Sequence, residues 1–362
     1  SFSGIDAIVG NGGTFGGNSN FNGTWTLNGT TNYNDGQGNG TINVSNFTNL
    51  QAGDLGDVFN VNGNTTANIL GGAAADTINV QATLTGNISA GGGNDIGNFI
   101  TAQALVTGNI DGGTSMTLNY SAYGVALTAT LTDPGTIDGF RGTINGIGGT
   151  FDNITTIVGS AGNDTLIGDD VASTWNGLGS LTQTYTTGAG IAARTLQFSN
   201  IETLQGGSQA DTFNTTNNNS LRLRGGLGND RFNHAADQIP TFVDGQGGTD
   251  TVDYSLDLLG NTYDLVLGTT EGFGDIGFSD NIEVLIGGTG DDTLTGVVGA
   301  DAVWTQAATQ TYQHTASGRT LTISLFDTWQ GSTGVDTYGI VTTNAAAITL
   351  AGGAGNDEFF VD

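Results

Sequence analysis

Aspartates that end glycine-rich turns are the residues of this chain best suited to chemistry. Four turns share one pattern: Gly159-Ser160-Ala161-Gly162-Asn163-Asp164, Gly225-Gly226-Leu227-Gly228-Asn229-Asp230, Gly287-Gly288-Thr289-Gly290-Asp291-Asp292 and Gly352-Gly353-Ala354-Gly355-Asn356-Asp357. Each reads G-G-x-G-N/D-D, with Ser160 replacing one glycine. Glycine lets a backbone curl its carbonyl oxygens inward, and the last Asp adds a carboxylate. Stacked turns of this kind could supply the roughly six to eight oxygens that Ca²⁺ prefers. The alternative is that each Asp caps its turn through an Asx-type hydrogen bond. Asp95, Asp250 and Asp301 end related turns and join the candidate ligands. Gly71–Asp76 and Gly206–Asp211 are eroded copies, expected to be weak or empty, and Gly10–Phe15 carries Phe where the Asp should stand.

The spacing of these turns constrains the elements that hold them. Asp57, Asp76 and Asp95 are 19 residues apart, and Asp211, Asp230 and Asp250 are separated by 19 and 20. A longer repeat contains this short one. Phe2–Gly10 returns as Phe151–Gly159 and again as Phe278–Gly287. Behind each start come a Trp (Trp25, Trp175, Trp304), a Tyr (Tyr33, Tyr185, Tyr312), a Phe (Phe47, Phe198, Phe326) and an acidic turn. The starts define repeats 1–150, 151–277 and 278–362, the first with one extra short period around Ile88–Phe99 and the third cut short. That truncation, and a start at Ser1 with no leader-like region, are expected of an excerpt from a longer chain.

Runs such as Thr77-Ile78-Asn79-Val80 and Leu321-Thr322-Ile323 alternate apolar and polar residues, the period of half-buried strands. No apolar stripe of helical spacing is long enough for a helix, and Pro occurs twice. The prediction is an all-β parallel β-helix or β-solenoid with coils of about 20 residues. Ile78, Phe213 and Phe232, each two residues past a turn Asp, should point inward. The Trp and Tyr of each repeat should plug the core rather than grip a sugar.

The chain has 34 acidic residues against 6 arginines and no lysine, a formal charge of −28. Nucleic acid is excluded as a partner, since binding it needs cations at the phosphates. No run of about 18 apolar residues predicts a membrane span, and Cys is absent. His234 and His314 fall at non-equivalent places in their repeats and predict no metal or catalytic site. Asp169-Asp170 could in principle do glycosidase chemistry, but that needs two carboxylates facing each other across a sugar. Arg222 and Arg224 share a strand face and are expected to pair with turn acids. No repeat breaks the pattern with a catalytic cluster, so the chain is not expected to be an enzyme.

The four turns resemble the calcium-binding nonapeptide repeats of the RTX family, G-G-x-G-x-D-x-U-x. The match is best at Gly287–Asp301, where two copies follow in tandem and the strongest site is expected. The motif mostly recurs every 19 to 21 residues instead of every nine, so the resemblance implies calcium turns along one edge of a wider solenoid, with only short β-roll-like stretches. The whole-repeat phrasing, as in Phe198–Phe213, resembles the tandem repeats of very large bacterial surface adhesins. That resemblance implies a secreted or cell-surface structural rod, stalk or filament segment stiffened by Ca²⁺. Its partners would be copies of itself, neighbouring repeats, or a surface glycan or host receptor. A surface-layer protein and a polysaccharide-binding or polysaccharide-degrading β-helix are the alternatives.

Overall fold

The computed structural model describes residues 5–187, 193–216, 221–235, 242–266, 275–277, 281–341 and 347–362. The repeat starts at Phe2 and Phe278 lie partly outside the described residues. Among those described, every regular element is a strand, and most pairings are parallel. No described helix is long and apolar enough to cross a membrane. The chain divides into two compact units, Ser1–Asp169 with Thr184–Glu202, and Asp170–Gln183 with Thr203–Asp362.

In the first unit the 19-residue period becomes a hydrogen-bonding register. Val58–Val61 pairs with Thr77–Val80, and Thr77–Val80 pairs with Asp95–Phe99, with Phe59 opposite Ile78 and Asn60 opposite Asn79. The stack continues through Ile110–Asn119 and Phe151–Val158 to Thr195–Ser199. Two further parallel series run beside it. Asn49–Gln51, Asn68–Leu70 and Ile88–Ser89 form one, and Thr65–Thr66, Thr83–Thr85 and Leu105–Val106 the other.

Strand alternation sorts the side chains. In Thr77–Val80 the apolar Ile78 and Val80 are fully buried, while Thr77 and Asn79 are half-buried. Full burial of such a side chain contributes about 1.5–3 kcal/mol. The outward positions hydrogen-bond to their own kind. Asn119 donates to Asn98, Asn98 to Asn79 and Asn79 to Asn60, each amide at 2.8–2.9 Å.

The second unit follows the same logic. Ser173–Leu178, Thr212–Thr215, Arg231–His234, Thr251–Asp253 and Val284–Ile286 pair in parallel. Inward rings stack along the series, Trp175 on Phe213 at 5.5 Å and Phe213 on Phe232 at 5.0 Å. Ile78, Phe213 and Phe232 are all fully buried, as their positions predict.

The parallel reading missed antiparallel excursions. Thr24–Leu27, Thr31–Asn34 and Thr41–Ser45 form a meander, as do Ala302–Gln306, Gln310–His314 and Thr320–Ser324. Thr128–Pro134 and Phe140–Ile144 form another hairpin. The Trp and Tyr of each meander are cross-strand partners, Trp25 with Tyr33 and Trp304 with Tyr312. Their spacing of 8 fits a hairpin because the strands fold back on a short turn and pair directly opposite.

The repeated Asn after each Ser or Asp of the repeat phrasing has a backbone reason. Asn46, Asn153, Asn200 and Asn281 all adopt left-handed φ between 53° and 59°. Asn tolerates that region better than other residues with a side chain. Leu325 takes the same place at φ 59°.

Candidate functional site

Most turn aspartates are buried, and they are linked to one another through the backbone. Asp57 N–H donates to Asp76 Oδ1 at 2.6 Å, and Asp76 N–H donates to Asp95 Oδ1 at 2.7 Å. In the second unit, Asp211 N–H donates to Asp230 Oδ1 and Asp230 N–H to Asp250 Oδ1, both at 2.7 Å. Asp336 N–H donates to Asp357 Oδ1 at 3.0 Å. Each carboxylate therefore receives the amide of the turn before it in the stack.

Where the next turn lacks an Asp at that place, another acid substitutes. Asp164 N–H donates to Glu202, Asp250 N–H to Glu283 and Asp292 N–H to Asp327, all at 2.8–2.9 Å. These three acids escaped the sequence reading. The signal that marks them is position: each stands two residues after the left-handed residue, as in Asn200-Ile201-Glu202, Asn281-Ile282-Glu283 and Leu325-Phe326-Asp327.

The second carboxylate oxygen separates two kinds of turn. In the first kind, Oδ2 accepts the N–H four residues earlier: Gly53 to Asp57, Gly72 to Asp76, Ser160 to Asp164, Gly207 to Asp211, Gly288 to Asp292 and Ser332 to Asp336, at 2.5–2.9 Å. Asp164 Oδ1 also takes the N–H of Leu127, and Asp292 Oδ1 that of Asn261. Both oxygens then face amide donors. This is the capping alternative, with each carboxylate tied to its own turn and to a neighbouring strand.

In the second kind, Oδ2 of Asp95, Asp230 and Asp250 is buried with no hydrogen-bond partner. The backbone explains the difference. The residues four and two before the Asp are left-handed: Gly91 and Gly93, Gly226 and Gly228, Gln246 and Gly248, with φ from 66° to 151°. With that curl the N–H four residues earlier no longer meets the carboxylate. Gly353 and Gly355 repeat the geometry before the less buried Asp357. A buried, singly satisfied carboxylate resists ionisation. Desolvation raises Asp95 and Asp250 to about 6 and Asp230 to about 7, with the neighbouring turn acids adding to it. Burial also raises Asp57, Asp76, Asp292 and Asp336, against the lowering effect of their amide donors.

Asp301 stands outside these ladders. It is exposed and accepts the N–H of Val335 at 2.7 Å, while Asp292 is fully buried. Among the described residues no three His or acidic side chains gather closely enough to hold a metal ion by themselves. Any cation here would draw the rest of its oxygens from the backbone or water.

The other chemistry-bearing residues are spent on packing. Trp25, Trp175 and Trp304 are fully buried, so their faces are closed to a sugar. Tyr33, Tyr185 and Tyr312 each accept a backbone N–H, from Asn18, Asp169 and Val297. Tyr185 also donates its hydroxyl to Asp169, which is buried rather than presented to solvent. His234 is buried against Thr215 at 2.6 Å, and desolvation pulls it down to about 3. His314 is held by Ser317 at 2.8 Å. Arg222 lies 5.1 Å over the Phe242 ring. Compared with models of known protein families and with curated proteins, the chain matches none.

Proposed function

We propose that the chain is a structural β-solenoid segment of an extracellular bacterial protein, a length of adhesin stalk or matrix fibre built from coils of about 20 residues. The observation that supports this most is the ladder of turn aspartates, each bonded to the amide one period away. Buried carboxylates, ring stacks and amide ladders all serve to repeat one register. A load-bearing fibre needs that property, whereas an enzyme concentrates such groups at one place. The sequence phrasing that resembles adhesin repeats points the same way.

Calcium has a narrower place in this reading than the motif suggests. Asp164 and Asp292 match the motif well, yet their oxygens are occupied by amide donors, the positive ends of backbone dipoles. They serve the turn. Asp95, Asp230 and Asp250 keep a free, buried oxygen, and Asp357 shares their backbone, so these four are the residues to hold Ca²⁺. A bound cation would supply the charge that these carboxylates lack a partner for and screen part of the −28. The self-association or repeat-to-repeat contact expected of such a segment belongs to the same reading.

The test is location. Antibodies raised against this chain should label intact cells of the source organism, and brief external protease should remove the label. Signal confined to the cytoplasm would overturn the reading.

A further inference from the structure

The first unit carries a polar cleft of about 490 Å³ on the outward face of its parallel stack. Its floor is a row across three neighbouring strands: Thr117 opposite Thr156, and Thr156 opposite Gln197. Strands in such a row lie about 4.8 Å apart, so the floor spans roughly 10 Å. A β-bulge adds to it. The register slips between Met116 and Thr117, so that Thr155 and Thr156 both face outward, and Thr155 bonds Ser115 at 2.9 Å. Bulges commonly re-aim side chains beside functional sites.

One wall is the tip of the Thr128–Ile144 hairpin, and it is fixed in place. Thr136 donates its N–H and hydroxyl to Asp152, while Ile137 and Asp138 donate their N–H groups to Asn153. Arg141 and Asp152 form an ion pair at 3.0 Å at its base. The tip presents Asp138 to the cleft, 3.6 Å from Arg194, whose Nε is buried without a partner. Thr117, Thr156 and Gln197 make no side-chain hydrogen bond among the described residues.

Two hydroxyls and an amide, those of Thr117, Thr156 and Gln197, thus face one preformed space with their hydrogen-bonding capacity unspent, beside the paired Asp138 and Arg194. An apolar ligand would find little to bury there. A polyhydroxylated ligand would find donors and acceptors at the spacing of the strands. We propose that this cleft binds a neutral glycan, with Thr117, Thr156 and Gln197 contacting its hydroxyls and Asp138 and Arg194 orienting it. The proposal stands apart from the calcium turns and from the structural role. Asp138 disfavours acidic sugars, and the lack of an aromatic platform predicts weak binding to each single site.

Calorimetric titration of the full chain with hexasaccharides of cellulose, chitin, mannan and amylose, and with a galacturonate hexamer, tests it. At least one neutral hexasaccharide should bind with Kd near about 1 mM or tighter. Thr156→Val and Gln197→Ala, at solvent-facing positions, should each weaken it about fivefold to tenfold. Three results would each overturn the proposal: no neutral hexasaccharide binding, equal binding by both variants, or stronger binding of the galacturonate hexamer.

Discussion

The amide of Asp57 donates to the carboxylate of Asp76, 19 residues on, at 2.6 Å, and that carboxylate also takes the amide of Gly72 at 2.8 Å. One side chain therefore closes its own turn and joins it to the turn before. The Asp57 amide has no water in reach, since Asp57 and Asp76 are each 1% exposed, while Gly72 is half-buried.

Removing the Asp76 side chain should orphan both amides. Asp76→Ala is expected to lower stability by about 1–4 kcal/mol, from the buried Asp57 amide left unpaired at about 1–3 kcal/mol and a smaller loss at the half-buried Gly72 amide. Asp76→Asn keeps one acceptor oxygen but turns its NH2 toward the other amide, so it should cost less than Asp76→Ala while still losing about 1–3 kcal/mol. Denaturant unfolding of the two variants checks this. Equal losses would mean that the charge, not the acceptor geometry, holds the turn.

The raised carboxylates set a pH dependence of definite sign. Asp230 titrates at about 7 in the folded chain, and Asp95 and Asp250 at about 6, against 3.8 in the unfolded chain. The native state then holds these protons more tightly than the unfolded state does. Their contribution is fully present below pH ~4 and is lost as pH rises through about 6 to 7. In calcium-free buffer the melting temperature should fall between pH 5 and pH 8, by an amount on the order of a few kcal/mol in stability. Asp230→Asn should flatten part of that slope.

Much of this was legible in the sequence because the period is carried by residues with single jobs. Apolar positions two past each turn Asp, such as Phe213 and Phe232, could only face inward, and they do. Which carboxylates keep a free oxygen was less legible. Asp230 and Asp292 end turns of nearly the same composition, yet Gly226 and Gly228 are left-handed while the glycines before Asp292 are not. Glycine permits either backbone, so composition alone does not choose between an oxygen capped by an amide and one left free. The meanders were missed for a related reason: Trp25 and Tyr33 alternate as strand residues do, and alternation carries no direction.

Calcium should act unevenly along the chain. In calcium-free buffer at pH 8, adding millimolar Ca²⁺ should raise the melting temperature and remove the alkaline fall. At a hundredfold excess over Kd the gain is about 2.7 kcal/mol per site. Asp230→Ala and Asp250→Ala should reduce the gain. Asp164→Ala and Asp292→Ala should lower stability equally with and without the ion. Mg²⁺ should replace Ca²⁺ poorly, because it demands a tighter octahedron and sheds water reluctantly. A gain lost in Asp292→Ala but kept in Asp230→Ala would return the site to the tandem motif.

The left-handed position gives a test free of ions. Asn46, Asn153, Asn200, Asn281 and Leu325 share φ near 55–59°, apart from Asn200 at 53°. Leu325 is 54% exposed, so little packing offsets its backbone strain. Leu325→Asn should therefore stabilise the chain by about 1 kcal/mol, the order of the left-handed penalty for a residue with a branched side chain. Asn200→Leu, also exposed, should cost a similar amount. Asn153→Leu should cost more, because Asn153 Oδ1 also accepts the amides of Ile137 at 2.6 Å and Asp138 at 3.2 Å. Thermal melts of the three variants should therefore rank Leu325→Asn above the parent, Asn200→Leu below it and Asn153→Leu lowest. If Asn153→Leu matched Asn200→Leu, the hairpin tip would owe nothing to the amides it donates, and the wall carrying Asp138 would lose its anchor.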